Sequence, residues 1–191
     1  MAYTKKYSPT YRILHWSIAI IMSLLLGTIL LRLTWLNKAN VAAIIGEYLA
    51  GTGQSLSQEQ LTELAKKIRE PMWIWHTYLG YLLTGLFSVR MILPVFGSMK
   101  LQNPLEKELV AREKLKKWTY IIFYLLIAVS LVTGLIIVWG PREYKQAMES
   151  VHILGIYYLI GFMLLHFAGI FIAEMTHEKG IISRIINGSA D

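Results

Sequence analysis

The chain has 191 residues, of which 55% are hydrophobic and only 16% are charged, and its mean hydropathy is positive. A soluble domain of this size needs more polar surface, so the composition indicates a membrane protein. The absence of cysteine excludes thiolate-held iron–sulfur clusters, covalent CxxCH haem and disulfides. The net charge of +7 follows the ends of apolar segments and forms no separate basic patch, so no nucleic-acid partner is expected.

Four apolar stretches reach the roughly 20 residues that a helix needs to cross a bilayer. They cover residues of about 13–36, 72–96, 118–139 and 151–173. The first follows Lys5, Lys6 and Arg12, as in a signal peptide, but it is longer than a typical signal core and no small-x-small cleavage pattern follows it. The sequence therefore predicts an all-α fold in which residues 1–191 form one four-helix transmembrane domain with a retained first span.

The outer connection between the first two spans, residues 37–71, contains Ser57-Gln58-Glu59-Gln60, which has the form of a capping box. Apolar residues follow it at helical spacing, which predicts a short amphipathic helix on the outer face. Such a helix could shield the end of the bundle or dock a partner. Near the C-terminus, residues 181–186 predict a brief interfacial helix that ends at Asn187-Gly188.

The distribution of basic residues predicts the orientation in the membrane. Four spans place both termini on one side, together with the connection 90–117. That side holds 12 of the 19 Lys and Arg residues, and the opposite side holds 7. The positive-inside rule then places both termini in the cytoplasm.

Four of the five histidines lie inside predicted spans, at His15, His76, His152 and His166. Ionisable side chains are costly in a membrane and usually have a function there. Because successive spans run in opposite directions, His15 and His166 are predicted near the inner face, and His76 and His152 near the outer face. Each level thus draws two histidines from two different helices.

His152 and His166 are fourteen residues apart. On one continuous helix they would lie within roughly 40° of the same face and about 21 Å apart along the axis. That spacing is too wide for one metal site, and it suits two stacked planar cofactors, each held between two helices. Two haems b, each with one imidazole on either side of its iron, are the obvious candidates.

Several other residues have a functional and an ordinary interpretation. Gly80, Gly155 and Gly169 lie one turn from a histidine, where they could admit a porphyrin face or serve helix packing. Haem propionates need cationic partners, for which Arg12, Arg32 and Arg90 are candidates, although each could instead reach lipid phosphates. His177, with Glu174, could be an interfacial residue or take part in quinone proton transfer.

Three motifs contain these histidines: Arg12-Ile13-Leu14-His15-Trp16, then His76-Thr77-Tyr78-Leu79-Gly80 followed by Arg90, and His152 through His166 to Phe167-Ala168-Gly169. Together they resemble the bacterial cytochrome b561 family, which includes the b-type cytochrome subunits of nickel–iron hydrogenases. It implies that His15 and His166 ligate one haem b and that His76 and His152 ligate the other. It also implies a location in the bacterial inner membrane.

The resemblance further implies electron transfer between the quinone pool and a partner, such as a hydrogenase, another dehydrogenase or a c-type cytochrome. One branch of the family acts alone as a superoxide oxidase that reduces quinone. The long connection 37–71 departs from the compact loop expected in that branch and favours a partner-linked carrier. A metal or proton transporter, or a purely structural membrane anchor, are further alternatives. The sequence thus predicts an electron carrier whose classification as an enzyme depends on its reaction with quinone.

Overall fold

The computed structural model describes residues 7–97, 99–100, 103–106, 108–176 and 178–188. Within these residues every regular element is helical: eight α-helices and one 3₁₀ helix. The α-helices are α1 (Pro9–Leu33), α2 (Lys38–Gly51), α3 (Gln58–Ile68), α4 (Glu70–Ile92), α5 (Ala111–Trp139), α6 (Arg142–His152), α7 (Gly155–Thr176) and α8 (Ile181–Ile186); the 3₁₀ helix is Leu93–Phe96. The prediction of an all-α fold is confirmed.

Four helical segments are long and apolar enough to cross a membrane, namely Pro9–Leu33, Gln58–Phe96, Ala111–Trp139 and Arg142–Thr176. Many of their large apolar side chains are not covered by protein. Leu125 is 62% exposed, Leu164 67% and Phe171 66%. Apolar surface of this extent is unfavourable in water, so these faces are suited to contact with lipid.

The chain divides into two compact units. The larger unit comprises the chain up to Ser17 together with Leu86–Asp191, and the smaller unit comprises Ile18–Gly85. Helices α1 and α4 each contribute residues to both units.

In the smaller unit, α2 and α3 form a helical hairpin with a core of its own. Val41 and Ala42 of α2 pack with the fully buried Ala65 of α3. The predicted capping box at the start of α3 is present, because the Ser57 side chain accepts from the Gln60 N–H and the Gln60 side chain accepts from the Ser57 N–H. The prediction of one helix in this connection missed α2, which begins at an Asn37 cap.

In the larger unit, the fourth apolar segment consists of two helices. Helix α6 ends at His152, and α7 begins at Gly155. The N–H groups of Leu154, Ile156 and Tyr157 bond the carbonyls three residues before them, so the helical ladder is tightened at this point. The prediction that His152 and His166 share one continuous helix is therefore wrong, and the face and the 21 Å separation calculated from it do not apply.

The predicted C-terminal helix is present as α8, which Asn187 ends and Gly188 follows with a φ of 83°. Ile181 and Arg184 of this short helix are buried.

We expect Ser57→Ala to destabilise the α2–α3 hairpin by about 1 kcal/mol, because it leaves the Gln60 N–H without its acceptor. Hydrogen exchange of the first-turn amides of α3 in detergent should accelerate roughly fivefold. The matched control is Ser55→Ala, which removes an exposed hydroxyl outside the helix. Equal exchange in the two variants would contradict this assignment of the cap.

Candidate functional site

The structure brings together two of the four predicted ligands. His15, in the second turn of α1, and His166, in the middle of α7, both belong to the larger unit. Their ring centroids are 6.1 Å apart, and their planes are inclined at 46°. Both side chains are half-buried.

This separation matches the spacing of two imidazoles on one haem iron. A metal–imidazole bond is about 2.0 Å long, so rings on opposite sides of one metal have centroids roughly 6.3 Å apart. Each ring can rotate about its bond to the metal, so a 46° angle between the planes is compatible with this arrangement. Among the described residues, no group of three or more His, Cys, Asp or Glu side chains could hold a metal ion. A pair of imidazoles fits a haem, whose iron needs only two axial ligands from the protein.

Aromatic side chains surround this histidine pair. The Tyr120 hydroxyl is 3.3 Å from Nδ1 of His166, and the ring of Phe162 stacks on His166 at 5.5 Å. On the other helix, the ring of Tyr11 is nearly parallel to His15 at 6.2 Å. The hydrogen bond to Nδ1 orients the His166 ring, and Nε2 is left for a metal when the tyrosine oxygen accepts the Nδ1 proton.

His152 is held by α5. Its Nδ1 is 3.0 Å from the Ser130 carbonyl oxygen and 3.2 Å from the Thr133 hydroxyl. A carbonyl oxygen can only accept, so Nδ1 carries the proton and the lone pair of the neutral ring is on Nε2. The ring lies close to the backbone at Gly134, where a Cβ atom would be 3.1 Å from His152 Cε1. With its proton on Nδ1, the His152 ring is in the tautomer that allows Nε2 to bind a metal.

His76, in the smaller unit, has the same tautomer for a different reason. Its Nδ1 is 2.7 Å from the hydroxyl of Thr28 on α1. That hydroxyl donates its single proton to the Leu25 carbonyl, 2.6 Å away, so it must accept from His76 Nδ1–H. The lone pair of the neutral ring is again on Nε2. Because His76 and His152 belong to different units, their pairing stays a prediction.

The hydroxyl partners of these rings were not among the predicted site residues. The hydroxyl partners are Thr28 of α1 and Thr133 and Tyr120 of α5, and the backbone carbonyl of Ser130 on α5 is a further partner. The third span had no predicted role, yet its helix holds both His152 and His166. The available signal was the presence of hydroxyl side chains within otherwise apolar spans, where they commonly bond across helices.

The glycines near the histidines differ in their surroundings. A Cβ atom at Gly80 or Gly169 would meet no atom of the described residues within 4 Å. Close packing against the described residues therefore does not explain these two glycines. A Cβ atom at Gly155 would instead be 3.1 Å from the Ser130 hydroxyl, so helix packing explains that glycine.

Arg12 lies three residues before His15. One nitrogen of its guanidinium group is hydrogen-bonded to the protein, and another is buried without a partner among the described residues. Nη1 donates to the Ile186 carbonyl at 2.9 Å. Nε is buried and has no hydrogen-bond partner among the described residues. A buried donor without a partner is unfavourable, so this atom is suited to an anionic group that is not part of the protein.

The two other candidate arginines make cation–π contacts with aromatic rings. The guanidinium of Arg32 is 5.2 Å from the Trp73 ring centroid, within the smaller unit. That of Arg90 is 5.2 Å from the Tyr124 ring centroid and donates to the Met99 carbonyl at 3.1 Å, within the larger unit. These contacts lower the cost of each charge near lipid.

The predicted association of Glu174 with His177 cannot be followed, because His177 lies outside the described residues. The carboxylate of Glu174 accepts hydrogen bonds from the N–H groups of Gly180 and Ile182 at 2.8 and 3.2 Å. It therefore has a structural role at the start of α8.

Comparison with known proteins adds one finding. The family model for prokaryotic cytochrome b561 matches residues 6–188, which is nearly the whole chain. No curated protein and no solved structure matches significantly. The family is a transmembrane helical bundle, in agreement with the four long apolar helices. The chain thus belongs to the prokaryotic cytochrome b561 family and is a multi-pass bacterial membrane protein that binds b-type haem and takes part in electron transfer.

Proposed function

We propose that the protein holds two haems b and passes electrons across the inner membrane between the quinone pool and a redox partner protein. One haem is ligated by His15 and His166, and the other by His76 and His152. The observation that carries the proposal is the 6.1 Å separation of the His15 and His166 ring centroids, which accommodates one iron between them.

When bound, each haem supplies an iron that accepts and releases one electron. The residues of this chain bind it, orient it and control its surroundings. Two histidines on one iron would leave no open coordination position on it for oxygen or substrate. A hydrogen bond to Nδ1 fixes the orientation of each of three histidine rings. His166 is bonded to the Tyr120 hydroxyl, His76 to the Thr28 hydroxyl, and His152 to the Ser130 carbonyl.

Arg12 is the propionate partner that the geometry favours most. Its unpartnered Nε lies one helical turn before His15, where an acidic group of the same haem can reach it. Arg32 and Arg90 stay candidates for the same role, because their aromatic contacts leave several guanidinium N–H donors available.

The distribution of basic residues supports an orientation with both termini in the cytoplasm. The His15–His166 pair is then nearer the cytoplasm, and the α2–α3 hairpin is on the outer face. The α2–α3 hairpin has a packed core of its own, and in this proposal it presents the surface on which a hydrogenase, dehydrogenase or c-type cytochrome docks. The alternative, a stand-alone superoxide oxidase, requires that the purified chain alone reduces quinone with superoxide.

The purified protein is expected to contain two haems b per chain. A pyridine haemochrome assay against protein concentration counts them, and the dithionite-reduced spectrum should show sharp α-bands of low-spin haem. A ratio of one haem per chain would contradict the second site. A colourless protein after expression with sufficient haem would contradict the cytochrome function itself.

We expect His15→Ala and His166→Ala each to lose one haem, because either change removes one of the two axial ligands of the same iron. His76→Ala and His152→Ala should each lose the other haem. The matched control is His177→Ala, which removes the fifth histidine and should retain both. Retention of both haems after loss of His15 or His166 would refute the ligand assignment.

We expect Thr28→Val to raise the midpoint potential of one haem. The hydroxyl accepts the Nδ1 proton of His76 and makes the ring a stronger donor to ferric iron, so its loss destabilises the oxidised state. A hydrogen bond of about 1 kcal/mol corresponds to roughly 40 mV for one electron. Thr133→Val is the matched comparison, because His152 keeps the Ser130 carbonyl and should change less. A potentiometric titration with equal shifts, or with none, would contradict this.

A further inference from the structure

The short helix α8 is bound at its N-terminal end by α7. The carboxylate of Glu174 accepts from the N–H groups of Gly180 and Ile182. The first N–H groups of a helix have no partner inside it, and a negative charge there also interacts favourably with the helix dipole. Glu174 therefore ties the start of α8 to the end of the helix that carries His166.

The C-terminal end of α8 is bound by the start of α1. The indole N–H of Trp16 donates to the Ile185 carbonyl at 3.1 Å, and Nη1 of Arg12 donates to the Ile186 carbonyl at 2.9 Å. Gly188 makes this approach possible, because a Cβ atom there would lie 2.8 Å from Arg12 Cζ. The last carbonyls of α8 and the negative end of its dipole are thus matched by a cation.

A helix of six residues is not stable by itself, so the position of α8 depends on these contacts. It is also held by Arg184, which is only 5% exposed and donates to the Lys179 carbonyl at 2.9 Å. The result is a fixed bridge between two helices that the connecting loops do not join directly.

The bridge lies next to both proposed ligands of one haem. Trp16 follows His15 directly, and their rings are in edge contact with centroids 5.7 Å apart. Glu174 lies eight residues beyond His166 on α7. We propose that α8 acts as a clasp, made of Ile181–Ile186 with Glu174, Arg12 and Trp16, that sets the distance and angle between the His15 and His166 rings. The clasp rests on the proposed function in that it assumes one haem between these rings.

Trp16 and Glu174 are positioning residues in this proposal, since neither is a proposed ligand of the haem. The test uses the full-length, haem-loaded protein with Trp16→Phe, which keeps the ring and removes its N–H, and Glu174→Ala. The matched controls are Trp35→Phe, at a tryptophan that is 79% exposed, and Glu149→Ala, at an exposed glutamate. The readouts are haem content, the electron paramagnetic resonance spectrum of ferric haem and the rate of haem transfer to an excess of apo-globin.

Both variants should bind two haems. The resonance of one haem should shift, because its position depends on the angle between the two imidazole rings. The same haem should leave roughly fivefold faster in Trp16→Phe, which loses one hydrogen bond, and faster still in Glu174→Ala, which loses two. The other haem and both controls should behave as the unmodified protein. If Glu174→Ala does not assemble, Glu174→Gln, which keeps one acceptor oxygen, takes its place.

Spectra and transfer rates equal to the controls would overturn the clasp, and so would equal changes in both haems, because these indicate a general loss of stability. The proposed function fails differently. If His15→Ala and His166→Ala retain both haems, the ligand assignment is wrong. If those variants lose one haem while the clasp variants match their controls, the ligands are right and only the clasp is wrong.

Discussion

The positions of the intramembrane histidines depend on how the ring nitrogens of an imidazole find hydrogen-bond partners inside an apolar helix bundle. A polar group without a partner is costly there, and no water is at hand to supply one. In this chain the Nδ1 atoms of His76, His152 and His166 bond to hydroxyl or carbonyl groups of neighbouring helices. Each bond lowers that cost and also orients the ring, so the same contact serves helix packing and holds a proposed metal ligand in place.

The helix α5 is central to this arrangement although it carries no histidine. The Ser130 carbonyl and the Thr133 hydroxyl of α5 bond to His152. Nearer the start of the same helix, the Tyr120 hydroxyl bonds to His166. Its glycine at position 134 lets the His152 ring approach the backbone. One helix therefore orients two of the proposed ligands, His152 and His166, which both belong to the larger unit.

The sequence was sufficient for the features that follow from local composition. The four apolar segments, the capping box at Ser57 and the helix at residues 181–186 could be read from hydropathy, spacing and cap residues. The break after His152 could not, because three tightened hydrogen bonds leave the apolar character of the segment unchanged. The hydrogen-bond partners of Arg12 and His76 could not be predicted either, because they depend on which helices are neighbours. The spacing of apolar residues along one helix does not show that.

The bond between Arg12 and the Ile186 carbonyl joins positions that are 174 residues apart in the chain. It can form only when nearly the whole protein has left the ribosome. The first transmembrane helix is therefore synthesised long before its N-terminal end acquires its final contacts. A chain released early by the ribosome would contain His15 and even His166 and yet lack the segment that ties their helices together, so translation has to be completed before this part of the protein is finished.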